Sequence, residues 1–276
     1  MGVLALYPTL YALYTSLQRF YLADPTRRRW VGLDNYIALG QDDRFWNSVV
    51  VTVEYLVTAV AIEVVLGFAI ALLLHTPRRF TVVLRTIMLV PMILAPIVVG
   101  SMWKFMYNNQ FGIITYLAGQ LGFHSLFLSD PASALWSIVA ADIWQWTPFV
   151  TLICLAGLAT LPVEAFKAAA VDGASSWRMF WHITLPLTRP FLAIATVLRF
   201  ITAYKVFDSI YIMTSGGPGG STTVLSMLLY ETAFTNLQIG DASALGVLIV
   251  IVATLATKVF TQRFLFAPGG AETLRA

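Results

Sequence analysis

The sequence predicts an all-α polytopic membrane protein: a single transmembrane domain, residues 1–276, with six transmembrane helices and a polar interval at 160–190 between spans four and five. Three observations predict this. Of the 276 residues, 58% are hydrophobic and only 11% are charged, against about 25% charged in a soluble domain. The apolar residues gather into runs long enough to cross a bilayer, which takes about 20 residues of helix. The stretch from Leu161 to Pro186 is the longest interval without such a run. The net charge of +3 is carried by dispersed basic residues, so nothing here marks a nucleic-acid partner. The single cysteine, Cys154, lies inside an apolar run; it permits no intrachain disulfide and is expected to pack as a small hydrophobe.

Span one is expected over 3–17, with Pro8 as a kink. Residues 1–18 lack the basic n-region and small-residue cleavage site of a secretory signal. Eighteen helical residues reach only about 27 Å, so span one looks short and leaves room for a natural chain that begins earlier. Residues 19–45 are polar and hold Arg27-Arg28-Arg29; their Trp and Tyr residues suit a membrane boundary. Span two, 49–74, carries Glu54 and Glu63. Nine residues is about 900° of helix rotation, which puts the two on opposite sides. Glu63, near mid-bilayer, requires a partner or a polar cavity. His75-Thr76-Pro77-Arg78-Arg79 reads as a tight basic turn. Span three, 81–106, contains Pro91 and Pro96, which bend a spanning helix and free backbone carbonyls. A second outer segment, 107–134, leads to span four, 135–158. Span five is expected over 191–213. A turn-rich loop, Ser215 to Thr222, and a partly inserted helix at 223–236 precede span six at 242–260.

The polar interval reads as helix, sharp turn, helix. Pro162 suits the first position of a helix, with Thr160 near enough to cap it. The run Ala168-Ala169-Ala170 favours helix, and Asp172-Gly173 ends it, since Gly tolerates the left-handed conformation. Ser175 or Ser176 can cap a second short helix, which Pro186 is expected to stop.

These residues resemble the EAA loop of ABC-importer permeases, whose pattern runs Glu-Ala-Ala, three residues, Gly, about nine residues, Ile-x-Leu-Pro. Ala168-Ala169, Asp172-Gly173-Ala174 and Ile183-Thr184-Leu185-Pro186 fall in register. The Glu of the pattern falls on Lys167, while Glu164 lies one turn earlier. In that family the loop is cytoplasmic and docks into a groove on a separate ATPase subunit. The resemblance therefore implies that Glu164, Lys167, Ala168, Ala169, Asp172, Gly173 and Ala174 couple the chain to an ATPase. Val31-Gly32-Leu33-Asp34-Asn35-Tyr36 and Phe207-Asp208 before Gly216-Gly217-Pro218 extend the likeness to maltose-type carbohydrate importers. The resemblance implies a second homologous permease, two ATPase subunits, an extracytoplasmic substrate-binding protein and a lipid surround in a prokaryotic cytoplasmic (inner) membrane. ATP and Mg would sit in the partner ATPases. This chain carries no Gly-x-x-x-x-Gly-Lys-Ser/Thr loop and no cofactor is expected in it.

Six spans put both termini on the side of the polar interval at 160–190. That side holds nine basic residues: Arg78, Arg79, Arg85, Lys167, Arg178, Arg189, Lys258, Arg263 and Arg275. The other holds six: Arg19, Arg27, Arg28, Arg29, Arg44 and Lys104. The excess favours cytoplasmic termini, with the Arg triplet as the main violation.

Polar residues inside spans are candidates for a substrate path. Asp142, Gln145, Trp146 and Phe149 recur on one face of span four, and Tyr204, Lys205, Asp208 and Tyr211 do so in span five. Carboxylates and amides bind hydroxyls, and aromatic faces cover the apolar side of a sugar ring. The same residues also fit boundary anchoring, and Lys205 and Asp208 can neutralise each other. In maltose permeases the sugar contacts lie in the helices flanking the coupling loop, which here implies positions near Asp142, Gln145 and Trp146 and near 199–207. Arg199 and Lys205 are six residues apart, about 240° around a helix, so they do not converge on one phosphate. A neutral sugar is expected, with a glycerol-phosphate-type importer as the alternative. An ion-driven transporter using Glu54, Glu63, Asp142 and Asp208 would call for paired repeats, which the sequence does not display. A membrane enzyme would need a convergent site, whereas His75, His124 and His182 lie in different loops.

Overall fold

The computed structural model describes residues 2–76, 79–123 and 126–265. The expected Pro77 and Arg78 of the basic turn, His124, and the tail beyond 265 lie outside them. Helix α1 covers Gly2–Ser16. A short hairpin of β1 (Gln18–Arg19) and β2 (Arg29–Trp30) follows, then α2 (Asp34–Gln41) and the 32-residue α3 (Asp43–Leu74). Next come α4 (Arg79–Met88), α5 (Val90–Ile93), α6 (Pro96–Met106), α7 (Ile113–Gln120) and α8 (Pro131–Ala159). The polar interval holds α9 (Val163–Val171) and α10 (Ser176–Met179), and a π-helical turn, Phe180–Thr184, leads into α11 (Leu185–Ala203). Helices α12 (Asp208–Met213), α13 (Leu225–Tyr230) with a π turn at Glu231–Thr235, and α14 (Ile239–Leu265) are the last of the described elements.

Among the described residues, four helical stretches are long and apolar enough to cross a membrane: Asp43–Leu74, Pro131–Ala159, Ser176–Ala203 and Ile239–Val259. The expected third span is a bent pair, Phe80–Ile93 and Pro96–Met106, turned by 96° at its break. Pro91 and Pro96 explain the break, because neither supplies a backbone N–H and the residue before a proline disfavours helix. Leu94, within it, is extended at φ −70°, ψ 140°. Helix α1, at 15 residues, falls short of the roughly 20 that a span needs.

By contact density the chain divides into two compact units. The first comprises the chain to Leu56, Gly100–Ile138 and Tyr204–Ala256. Its core gathers Leu39, Leu225, Leu228, Ala244 and Leu245. The Arg triplet has local work here. Arg27 pairs with Asp24 at 3.1 Å, and Arg28 donates to Gln18 and lies 4.6 Å from the centroid of Phe20. Buried Asn35 donates to the carbonyls of Ser16 (2.8 Å) and Gln18 (2.9 Å), and Tyr36 donates to the Ser16 hydroxyl (2.7 Å). The expected boundary loop is thus a folded cap on the end of α1. The Gly-rich loop is equally fixed: Thr222 and Thr223 donate to the carbonyls of Gly217 (2.8 Å) and Gly216 (2.9 Å).

The second unit comprises Val57–Val99, Val139–Ala203 and the chain from Thr257. Phe68, Ala71, Val150, Cys154, Leu158 and Ala195 form its core, which places Cys154 as a buried hydrophobe. Close approach of α3 and α8 requires Gly67, since a β-carbon there would stand 2.7 Å from a Val150 methyl. Arg85 on α4 donates to the carbonyls of Leu74 and His75 and so closes the otherwise open C-terminal end of α3.

Three local expectations are corrected. Thr160 does not cap α9; its hydroxyl donates back to Gly157 of the preceding helix at 2.8 Å, and α9 starts from Pro162 with no side-chain cap. Pro186 does not stop the second short helix. The turn before it widens to i→i+5 bonding, with the Leu185 N–H on Phe180 O, and a widened turn accommodates a proline that lacks an N–H. Span five is not continuous over 191–213, because helix stops at Ala203 and resumes at Asp208. Tyr204, Lys205, Asp208 and Tyr211 therefore do not form one helical stripe.

Candidate functional site

The polar interval forms the helix–turn–helix that its residues predict. The Ala174 N–H bonds to Ala169 O (2.9 Å) and the Gly173 N–H to Ala170 O (3.2 Å), with Gly173 at φ +73°. This is the paired C-terminal bonding of a Schellman turn, which needs a left-handed residue at its corner. Ser175 opens α10 by accepting a bond from the Arg178 N–H. Glu164, Lys167, Ala168, Asp172 and Gly173 are exposed, and Ala169 and Ala174 are half-buried. Beside them the loop displays apolar side chains: Val171 is 88% exposed and Trp177 70%. Trp177 and Trp181 pack edge to face at 5.6 Å. Sequence reasoning missed Val171, Trp177 and Trp181. Their signal was available, since three large apolar residues in a polar interval need a surface to cover them.

The second feature lies among the spans of the second unit. Arg199 on α11 forms an ion pair with Glu63 on α3, its Nε 2.6 Å from Oε2, and its Nη2 donates a hydrogen bond to Oε1 at 3.0 Å. Its Nη2 also donates to Asp142 on α8, and its Nη1 to the Thr202 hydroxyl at 3.0 Å. Glu63 is wholly buried, Arg199 is 1% exposed and Asp142 5%. Trp146 lies over the guanidinium with its ring centroid 5.0 Å away and meets Phe149 edge to face at 6.2 Å. Gln145 donates to Leu94 O at 3.0 Å, satisfying a carbonyl at the proline break. The expected partner of Glu63 is thus Arg199, and Glu54 on the same helix is exposed.

The structure brings Asp142, Gln145, Trp146, Phe149 and Arg199 into one neighbourhood. Tyr204, Lys205 and Asp208 belong to the first unit. Lys205 and Asp208 are exposed, and the Tyr204 hydroxyl donates to Ile249 O at 3.1 Å. In that unit a cavity of about 460 Å³ is lined by Asp43, Arg44, Asn47, Glu231 and the Gly-rich loop. Arg44 and Glu231 pair across it at 2.6 Å. Among the described residues no group of three or more His, Cys, Asp or Glu is placed to hold a metal ion.

A family model described as "binding-protein-dependent transport system inner membrane component" matches residues 63–266. The chain belongs to this family. It is a membrane permease subunit of an importer and not an enzyme. Curated relatives match along most of their lengths. The trehalose/maltose transport system permease protein MalF of Thermococcus litoralis is 38% identical over 264 residues, covering 94% of this chain and 88% of that protein. The trehalose transport system permease protein SugA of Mycobacterium tuberculosis is 35% identical over 271 residues, covering 98% and 87%. Among solved structures, a chain of a bacterial ABC transporter that imports the acidic polysaccharide alginate aligns with a TM-score of 0.81, covering 94% of this permease and 88% of that chain at 20% identity. That likeness confirms a permease-like helical fold. Membership in a binding-protein-dependent family decides against the ion-driven reading.

Proposed function

We propose that the chain carries a neutral sugar across the cytoplasmic membrane and is driven through its 160–190 loop by separate ATPase subunits. The observation that carries the coupling half is the exposed, rigid helix–turn–helix: a Schellman corner at Gly173, with Val171 and Trp177 uncovered beside Glu164 and Lys167. An apolar patch on two short, well-fixed helices is what a groove on a partner subunit would bury. In this reading the loop and both termini face the cytoplasm, ATP and Mg are held by the ATPases, and a second permease and an extracytoplasmic binding protein complete the importer. The chain then crosses six times, with α1 and the bent α4–α6 pair as the first and third crossings.

The sugar half rests on the relatives named for trehalose and maltose and on the chemistry around Trp146. Trp146 and Phe149 offer partly exposed aromatic faces beside Asp142, Gln145 and Arg199. Arg199, the cation nearest them, is already matched by two carboxylates, so it offers little to an anionic ligand. Reconstitution with the partner subunits tests this. Neutral di- or oligosaccharides presented on the binding protein are expected to stimulate ATP hydrolysis. Stimulation by glycerol phosphate or an acidic sugar, with none from neutral sugars, would reject the neutral-sugar reading.

A further inference from the structure

The proposed function leaves the arginine triplet at 27–29 unexplained. On the side of the membrane away from the 160–190 loop, such residues run against the usual charge bias. Arg27 is answered by Asp24. Arg28 is held differently. Its Nε donates to Gln18, itself only 6% exposed, and its guanidinium lies over two rings, 4.6 Å from the centroid of Phe20 and 5.8 Å from that of Tyr14. Its two terminal nitrogens make no hydrogen bond or ion pair with the described residues. They form a planar fork of donors, fixed from behind, that matches two oxygens of a phosphate. The platform beneath is rigid. The Gly240 N–H bonds to Phe20 O at 3.1 Å and the Leu22 N–H to Leu237 O at 2.8 Å. A β-carbon at Gly240 would stand 2.1 Å from Gln18 O.

The surroundings of the fork are those of a membrane boundary. Gln18 pairs with Trp30 across the hairpin, and alternation along extended backbone puts Arg28 and Trp30 on one face. Trp30 is 61% exposed and its ring lies 6.0 Å from that of Tyr14. From Tyr14 an exposed strip runs back along one face of α1 through Tyr11, Leu10 and Tyr7. On the other face of the hairpin Arg19 and Arg29 stand directly opposite each other, both exposed, and like charges so placed repel. Residues 18–30 hold four arginines against one acid, Asp24, and Asp241 beside Gly240 adds one more.

We propose that this face of the hairpin is a seat for an anionic phospholipid. The Arg28 fork donates to two phosphate oxygens, Tyr14 and Trp30 flank the glycerol region, and an acyl chain lies along the Tyr7–Tyr14 strip. The excess of positive charge favours a headgroup with net negative charge over a zwitterionic one. Continuity favours a lipid over an acidic protein surface: an apolar and aromatic strip runs straight into the fork, and Trp and Tyr prefer the headgroup level. The proposal rests on the reading of α1 as the first crossing and not on the nature of the substrate.

Thermal unfolding of the purified transporter, the permease with its partner subunits in a neutral detergent, tests this. A ligand that binds the folded state raises the melting temperature. Titrated phosphatidylglycerol should do so, phosphatidylcholine should do so less, and inorganic phosphate should not. Arg28→Gln should need about five-fold more phosphatidylglycerol for the same shift, and Arg28→Lys should recover part of the loss. Arg27→Gln, whose arginine is already paired with Asp24, should respond like the wild type. An equal loss in Arg27→Gln would mean a diffuse basic patch and overturn the seat. So would a shift with inorganic phosphate equal to that with the lipid. Weaker capture of the binding protein by Arg28→Gln with an unchanged lipid response would overturn it in favour of a protein contact. If Arg28→Gln does not fold, Arg28→Lys decides: a response equal to the wild type removes the two-pronged contact. Binding-protein-stimulated ATP hydrolysis by the same preparations reports on the transport reading separately.

Discussion

Arg199→Leu is expected to remove most folded permease from the membrane, not merely to slow transport. The substitution leaves Glu63 and Asp142 buried side by side without their cation. Removing one partner of a buried ion pair costs about 3–5 kcal/mol, a large share of the 5–15 kcal/mol that a typical domain has to spare. Arg199→Lys should recover only part of the loss, because an ammonium is a point charge and cannot reproduce the two-pronged contact with Glu63. Adding Glu63→Gln and Asp142→Asn to Arg199→Leu should restore accumulation by removing the uncompensated charge. Yield and thermal unfolding of the purified chain check this without reference to substrate. Wild-type yield and melting in Arg199→Leu would show that the cluster is not a stabilising element.

The second large effect is expected at Gly173, and it falls on coupling and not on folding. A valine at φ +73° would hold a β-branched residue in the left-handed region, at about 1–3 kcal/mol. A β-carbon there touches nothing within 4 Å, so the cost is local to the turn. Gly173→Val should insert and accumulate, yet lose substrate-stimulated ATP hydrolysis, because α9 and α10 no longer meet at the angle the Schellman bonds set. Gly173→Asn, which tolerates the left-handed conformation, should keep most of it. Normal uptake by Gly173→Val would rule out a role for the turn geometry.

The helix–turn–helix at 160–190 was legible because its signals are local. A proline at the helix start, an alanine run, Asp172-Gly173 and Ser175 each act within a few residues. The break of span three was half legible, since Pro91 and Pro96 announce a bend but not its 96° size. The interruption at 204–207 was not. Tyr204-Lys205-Val206-Phe207 contains neither Gly nor Pro, and its polar spacing mimics a helical face. What holds it open is tertiary: the Tyr204 hydroxyl reaches Ile249 O, and Ser226 donates to Val206 O. The charge cluster was legible only as a demand. Glu63 near mid-bilayer had to find a partner, but Arg199 lies 136 residues away, and no periodicity within a helix links residues that distant. Arg199 itself was assigned to the substrate path and not to Glu63.

The coupling claim is tested most directly by cross-linking from the loop. Cys154, the single cysteine, is buried, so Lys167→Cys adds one exposed thiol on α9. With the transporter assembled in membrane vesicles, a short bifunctional reagent at that thiol is expected to capture an ATPase subunit from the cytoplasmic side. Capture of the extracytoplasmic binding protein instead, or labelling by an impermeant reagent applied only from outside, would contradict the account.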